Sequence, residues 1–183
     1  MPRTLTADLF VTVDGFARGE QAAAYFGYPG PELERWVGEQ LRRPQVLVMG
    51  RVTYQAMAAA AIGSDDAGAQ RMTELPKVVV STTLSAPLLW KNSTLLHGDA
   101  ASHVHTLKQS RGDPLRTIGS LSLVTHLLRH GLVDRLRLMV FLLVLGRTGR
   151  EPALAGLPDI RFELIGNQVL DRRLVLLEYA PIR

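Results

Sequence analysis

Apolar positions along this chain fall into two alternating patterns. Short runs rich in Val, Leu and Ile recur at Leu5 to Val13, Val46 to Met49, Lys77 to Ser81 and Leu115 to Ile118, with a longer one at Asp134 to Leu145. Runs of this kind predict strands, and the wholly apolar ones predict strands covered on both faces. Between them, apolar residues recur at helical spacing. Leu33, Trp36, Val37 and Leu41 mark a helix over Pro31 to Arg42, with proline at its first position. Arg51 to Ala60, Ala101 to Ser110 and Leu121 to His130 also read as helices, the last stopped by Gly131. Ser93 to His97 reads as a weaker strand. Ile62 to Thr73 is polar and reads as a surface loop. Ile160 to Ile165 and Leu174 to Tyr179 read as a closing antiparallel pair.

Strand–helix alternation predicts an α/β fold built on a mostly parallel sheet, with helices flanking it and an antiparallel edge at the C-terminal end. There is no repeat and no internal boundary, so one domain is expected over residues 1–183. An apolar fraction of 46% in 183 residues argues against disorder. The absence of cysteine excludes disulfides, thiolate metal sites and a cysteine nucleophile. A net charge of +4 is mild and spread out, which favours anionic ligands without marking a nucleic-acid binder. No secretion signal or membrane span stands out, so a cytoplasmic protein is expected.

In an open α/β sheet, ligands bind beyond the carboxyl ends of the strands. Asp14-Gly15-Phe16 follows the first strand and Gly50-Arg51-Val52-Thr53-Tyr54 the second. Ser81-Thr82-Thr83 follows the third, and Gly119-Ser120-Leu121-Ser122 follows the Leu115 to Ile118 strand. A glycine between strand and helix lets an anion reach the free N–H groups of the helix start. Arg51 adds a guanidinium fork suited to phosphate. Two such junctions suit the phosphates of one dinucleotide, although each glycine alone is equally consistent with a tight turn.

These segments resemble the dihydrofolate-reductase-like superfamily, in the branch of the riboflavin-biosynthesis reductase domain. The matching runs are Val13 to Phe16, Leu47 to Tyr54, Leu75 to Leu84, Ile118 to Ser120, Leu127 to Asp134 and Val144 to Gly146, in family order. The resemblance implies NADPH as cofactor, with Gly50, Arg51 and Thr53 near its phosphates. It implies Ser81 and Thr82 near the adenosine 2′-phosphate, and Gly119, Ser120 and Leu121 at the pyrophosphate. It implies hydride transfer to a pteridine-like or ribosylaminopyrimidine substrate, a homodimer, and Asp14 near the substrate. The long strand Leu136 to Leu145 is the expected dimer face. The resemblance begins almost at residue 1, so a riboflavin role would leave deamination to another polypeptide.

Three positions depart from the family pattern. Arg135 stands where an acid is usual, Leu142 where proline is usual, and Gly146 to Pro152 replaces a Gly-x-Gly-Lys stretch. These departures keep a second reading open, a non-catalytic NADPH-binding oligomer, as well as a reductase of other substrate.

Among single residues, Asp14 is the expected proton relay, on the reasoning that a half-buried carboxylate has a raised pKa. An Asp-Gly turn is the plainer alternative. Phe16 and Trp36 are candidate substrate contacts, with Tyr25 and Phe26 as further wall residues, although Trp36 also falls on the apolar stripe of its helix. Glu32 and Glu34 are rival acids that also suit a helix start. His126 and His130 are four apart without the glutamate of a zinc-protease motif, so no metal is expected. Ser120 and Ser122 lack a nucleophile elbow. Arg147 and Arg150 read as a solvated hairpin tip, and Asp171-Arg172-Arg173 as a turn.

Overall fold

The computed structural model describes residues 2–21 and 24–182. Its strands are β1 (Leu5–Thr12), β2 (Phe16–Gly19), β3 (Val46–Gly50), β4 (Lys77–Val80), β5 (Ser93–Leu96), β6 (Leu115–Ile118), β7 (Arg135–Phe141), β8 (Gly149–Pro152), β9 (Phe162–Leu170) and β10 (Leu174–Pro181). Its helices are α1 (Pro31–Arg42), α2 (Arg51–Ala61), α3 (Ala67–Glu74), α4 (Ala100–Gln109) and α5 (Leu121–Arg129).

Eight strands form one sheet in the order β5-β4-β3-β6-β1-β7-β10-β9. Every pairing from β5 to β7 is parallel, and β10 joins β7 and β9 antiparallel. The fold is therefore the expected one, a mostly parallel sheet with an antiparallel C-terminal edge. Side chains alternate across the strands, so each face has its own core. Leu5, Ala7, Leu9 and Val11 of β1 pack under α4 and α5 with Val104, Val124 and Leu127. On the other face Leu33 and Trp36 of α1 meet Met139 and Phe141. Beside them Leu41 packs with Leu47, Met49, Tyr54 and Trp90.

Three elements depart from the sequence reading. Residues 67–74 are helical rather than a loop. Asp66 caps that helix by accepting the Ala69 N–H at 2.8 Å, and its lack of any buried residue removed the periodic signal. β2 and β8 form a separate two-stranded ribbon, so the second half of the altered Gly146 to Pro152 stretch, Gly149 to Pro152, is paired rather than a free tip. β7 is an interior strand with β1 and β10 on its two edges. Exposed apolar side chains occur both just past it, at Leu142 and Val144, and on β9, at Leu164, Ile165 and Val169. Arg135, one of the departures, pairs with Glu178 of β10 at 2.9 Å. No helix among the described residues is long and apolar enough to cross a membrane.

Candidate active site

Because β1, β3, β4 and β6 run parallel, their carboxyl ends share one rim. A cleft of about 1290 Å³ opens there. That volume exceeds the usual range for one small molecule and suits a coenzyme beside a substrate.

One half of the cleft is built from helix starts. α1, α3 and α4 each have a carboxylate on their first N–H groups. Asp171 takes those of Glu32 and Leu33 at 3.0 Å each, Asp66 that of Ala69, and Asp99 that of Ser102 at 2.8 Å. The N-caps of α2 and α5, Gly50 and Ser120, make no such side-chain bond. Both starts open into the cleft, as does that of α4 at Ala100, which Asp99 already occupies. Uncapped N–H groups carry the positive end of the helix dipole and bind anions.

The two starts are tied together, since the Gly50 N–H donates to Ser120 Oγ at 3.0 Å. That bond takes the Ser120 hydroxyl away from its own helix. Gly119 and Ser120 both have left-handed backbones, at φ 65° and 62°. A side chain is disfavoured in that conformation, and Ser120 holds it as a non-glycine residue at the site itself. Gly50, Arg51, Thr53, Ser81, Thr82, Gly119, Ser120 and Leu121 all line the cleft. Ser81 Oγ accepts the N–H groups of Thr83 and Leu84 at 3.1 Å each, which shapes the turn after β4 and leaves Thr82 exposed. Arg51 is exposed and its Nη1 donates to Gln55 at 3.1 Å.

The other half has apolar walls, with Phe10, Tyr25, Val37, Leu41 and Met57 around a charged floor. Sequence reasoning passed over that floor. Asp8 of β1 is 2% exposed, Arg116 of β6 is 7% and Arg137 of β7 is 5%. Arg137 is the direct cross-strand neighbour of Asp8, while Arg116 sits opposite Thr6, two residues away on the same face. Arg116 Nε donates to Asp8 Oδ2 at 2.7 Å, and Arg137 Nε donates to Oδ1 at 2.6 Å. Gln45 accepts from Arg116 Nη1 at 3.3 Å and Gln40 from Arg137 Nη1 at 2.7 Å. Burial pushes the Arg116 guanidinium below its ordinary pKa.

Two expected substrate contacts sit elsewhere. The Trp36 ring is 7% exposed and lies 5.1 Å from the Arg137 guanidinium and 5.9 Å from that of Arg116. It therefore packs against the arginines instead of walling the cleft. Phe16 packs on Gly149 of β8, so tightly that any Cβ there would collide with its ring, and it does not line the cleft. Phe26 packs on Phe141, with ring centroids 5.1 Å apart. Of these aromatic residues, Tyr25 is the one that reaches the cleft, and burial raises its hydroxyl pKa.

Asp14 also needs correction. It is exposed and not half-buried, and its pKa is lowered, not raised. The Thr12 hydroxyl donates to it at 2.6 Å, the Gly146 N–H at 2.8 Å and the Leu145 N–H at 3.1 Å. Donors of that kind favour the charged form. Asp14 thus ties the turn after β1 to the turn before β8 and lies outside the cleft lining. Glu32 caps too, since its carboxylate accepts the Asp171 N–H. No group of three or more metal-ligating side chains occurs among the described residues.

A mostly parallel sheet whose carboxyl rim brings two uncapped helix starts together makes an α/β protein with a cleft large enough for a nucleotide coenzyme. The family profile of the RibD C-terminal domain matches residues 3–176, and the chain belongs to that family. It is a reductase family of dihydrofolate-reductase-like fold. A candidate riboflavin biosynthesis protein from Shewanella sp. PV-4 superposes with TM-score 0.79 at 20% identity, covering 98% of this chain and 99% of that one. The deaminase/5-amino-6-(5-phosphoribosylamino)uracil reductase of Thermotoga maritima gives 0.68 at 16% identity over 99% of this chain, which spans 57% of that protein. Dihydrofolate reductase from Enterococcus faecalis, complexed with NADP(H), gives 0.67 at 11% identity, covering 98% of this chain and 97% of that one. No curated protein matches the chain.

Proposed function

We propose that this protein is an NADPH-dependent reductase acting on a pyrimidine- or pteridine-like ring. The observation that carries the reading is the capping pattern. Three helix starts reach the cleft: that of α4 is taken by Asp99, whereas those of α2 and α5 carry no carboxylate and stay free for an anion. Fit to the coenzyme rests on the same place. Gly119 has the left-handed φ of a tight junction and no side chain to fill the cradle, and Arg51 stands in the first turn of α2.

In this reading Gly50, Arg51, Thr53, Gly119, Ser120 and Leu121 hold the pyrophosphate region, and Ser81 and Thr82 hold the 2′-phosphate. The bound coenzyme supplies hydride. The protein's own contribution is orientation and exclusion of water. Phe10, Val37, Leu41 and Met57 give the substrate ring a dry slot beside the coenzyme half. Tyr25, whose hydroxyl stays protonated through the neutral range, is the group available to hold a proton there.

A second reading, coenzyme binding without catalysis, is favoured by one observation. Gly149 to Pro152 of the altered stretch pairs with β2, and Arg18 and Glu151 pair at 2.9 Å on the cleft lining. Calorimetric titration with NADPH, followed by its near-ultraviolet absorbance in the presence of oxidised pyrimidines and pterins, tests both. The reductase reading expects binding and loss of absorbance. Binding alone favours the second, and no binding removes both.

A further inference from the structure

The charged floor of the apolar half goes beyond the coenzyme reading, although its use rests on a substrate occupying that half. Asp8, Arg116 and Arg137 together carry a formal charge of +1, and each side chain is buried. Asp8 is committed to the arginines, because both of its oxygens take guanidinium groups. Oδ2 has Arg116 Nη2 at 2.6 Å and Arg137 Nη2 at 2.9 Å besides Arg116 Nε. Oδ1 takes Arg137 Nε, so both oxygens are turned to guanidinium groups and the cluster as a whole stays positive. Arg116 is different. A guanidinium has five N–H donors, and among the described residues its contacts with Asp8 and Gln45 engage three. Arg116 lines the cleft, whereas Arg137 does not. The charged side chains facing Arg116 are Asp8 and, with like charge, Arg137 and Arg43. The floor of the slot is thus a donor with surplus positive charge, under apolar walls.

We propose that Arg116, held in orientation by Asp8, is the specificity-determining residue of the substrate half. It selects a planar ring that presents carbonyl or carboxylate oxygens downward and rejects one that presents amino groups. A ring amino group would face a cation and would have to compete with Arg137 for Asp8, so its burial is poorly compensated. An oxo or carboxylate group completes the guanidinium's hydrogen bonds in a region of low dielectric.

Two probes of similar size separate the alternatives, uracil-6-carboxylate and 2,4-diaminopyrimidine, titrated calorimetrically into the protein saturated with NADPH. The proposal expects the oxo acid to bind at least about tenfold more tightly than the diamine. Arg116→Met leaves a neutral Asp8–Arg137 pair and should bring that ratio close to one, with NADPH affinity unchanged. Arg116→Lys keeps the charge without the fork and should give an intermediate ratio, which serves if the methionine variant does not fold. Equal binding of the two probes, tighter binding of the diamine, or a ratio untouched in either variant overturns the assignment. Binding of neither probe also overturns it. NADPH affinity, measured first, reports separately on the reductase reading.

Discussion

Two arginines line the same cleft and do different work. Arg51 is solvated, sits one residue past a strand end, and has a glutamine on its own helix as partner. Arg116 is buried, and its partners lie 108 and 71 residues away, on Asp8 and Gln45. The solvated one belongs to a local junction, glycine then helix start, whose chemistry can be read from consecutive residues. The buried one acquires its role only when β6 lies beside β1. The half proposed to hold coenzyme is therefore built from sequence-local parts, and the half proposed to hold substrate from long-range pairing. They should fail differently when altered.

The largest effect is expected in the buried half. Asp8→Ala leaves two guanidinium groups facing each other without a counter-charge, and breaking a buried ion pair costs about 3–5 kcal/mol. Urea denaturation should show a loss of that order or no folded protein. A loss below about 1 kcal/mol, the scale of an exposed pair, would mean the network is solvated. Next comes Gly119→Val. A β-branched residue at φ 65° costs about 1–2 kcal/mol, and its side chain enters the cradle between α2 and α5. NADPH affinity should fall by at least about tenfold, more than stability alone explains. Unchanged affinity would detach that junction from coenzyme binding.

Arg51→Ala should be milder still. An exposed side chain carries about ±0.5 kcal/mol of stability, so the change should appear as a raised KM for NADPH with kcat and Tm nearly unchanged. A fall in kcat with constant KM would contradict it. Asp14→Asn is the smallest. The folded carboxylate has a lowered pKa, so its stabilising contribution is present above the ordinary aspartate range and lost as pH falls through the folded value. The Tm gap between wild type and variant should persist at neutral pH and close under acid. The pH dependence of kcat should be the same in both. An acidic limb that vanishes in the variant would restore Asp14 as a proton relay.

The sheet and its antiparallel edge were legible because strands buried on both faces leave plain apolar runs, as at Val46 to Met49. The glycine junctions were legible because their parts are adjacent in the chain. α3 was not, since an eight-residue helix with no buried residue has no apolar stripe to read. Asp14 was misjudged because its strongest donor, the Thr12 hydroxyl, depends on how the turn is folded, and the next, the Gly146 and Leu145 N–H groups, come from a turn 132 and 131 residues away. Trp36 could be read as a substrate wall or as core from its position on the stripe, and the arginines it packs against decide the matter. One signal for the charged floor was available. Asp8, Arg116 and Arg137 each interrupt a run of strand residues, and a charge at the centre of a strand predicted to be covered on both faces needs a partner.

The crystal structure of the protein with NADPH tests the central claim most directly. The account predicts the pyrophosphate between the first N–H groups of α2 and α5, within hydrogen-bond distance of residues 51–53 and 121–123, with the Arg116 slot left free beside the coenzyme. Coenzyme seated away from both helix starts, or filling the slot above Arg116, would contradict it.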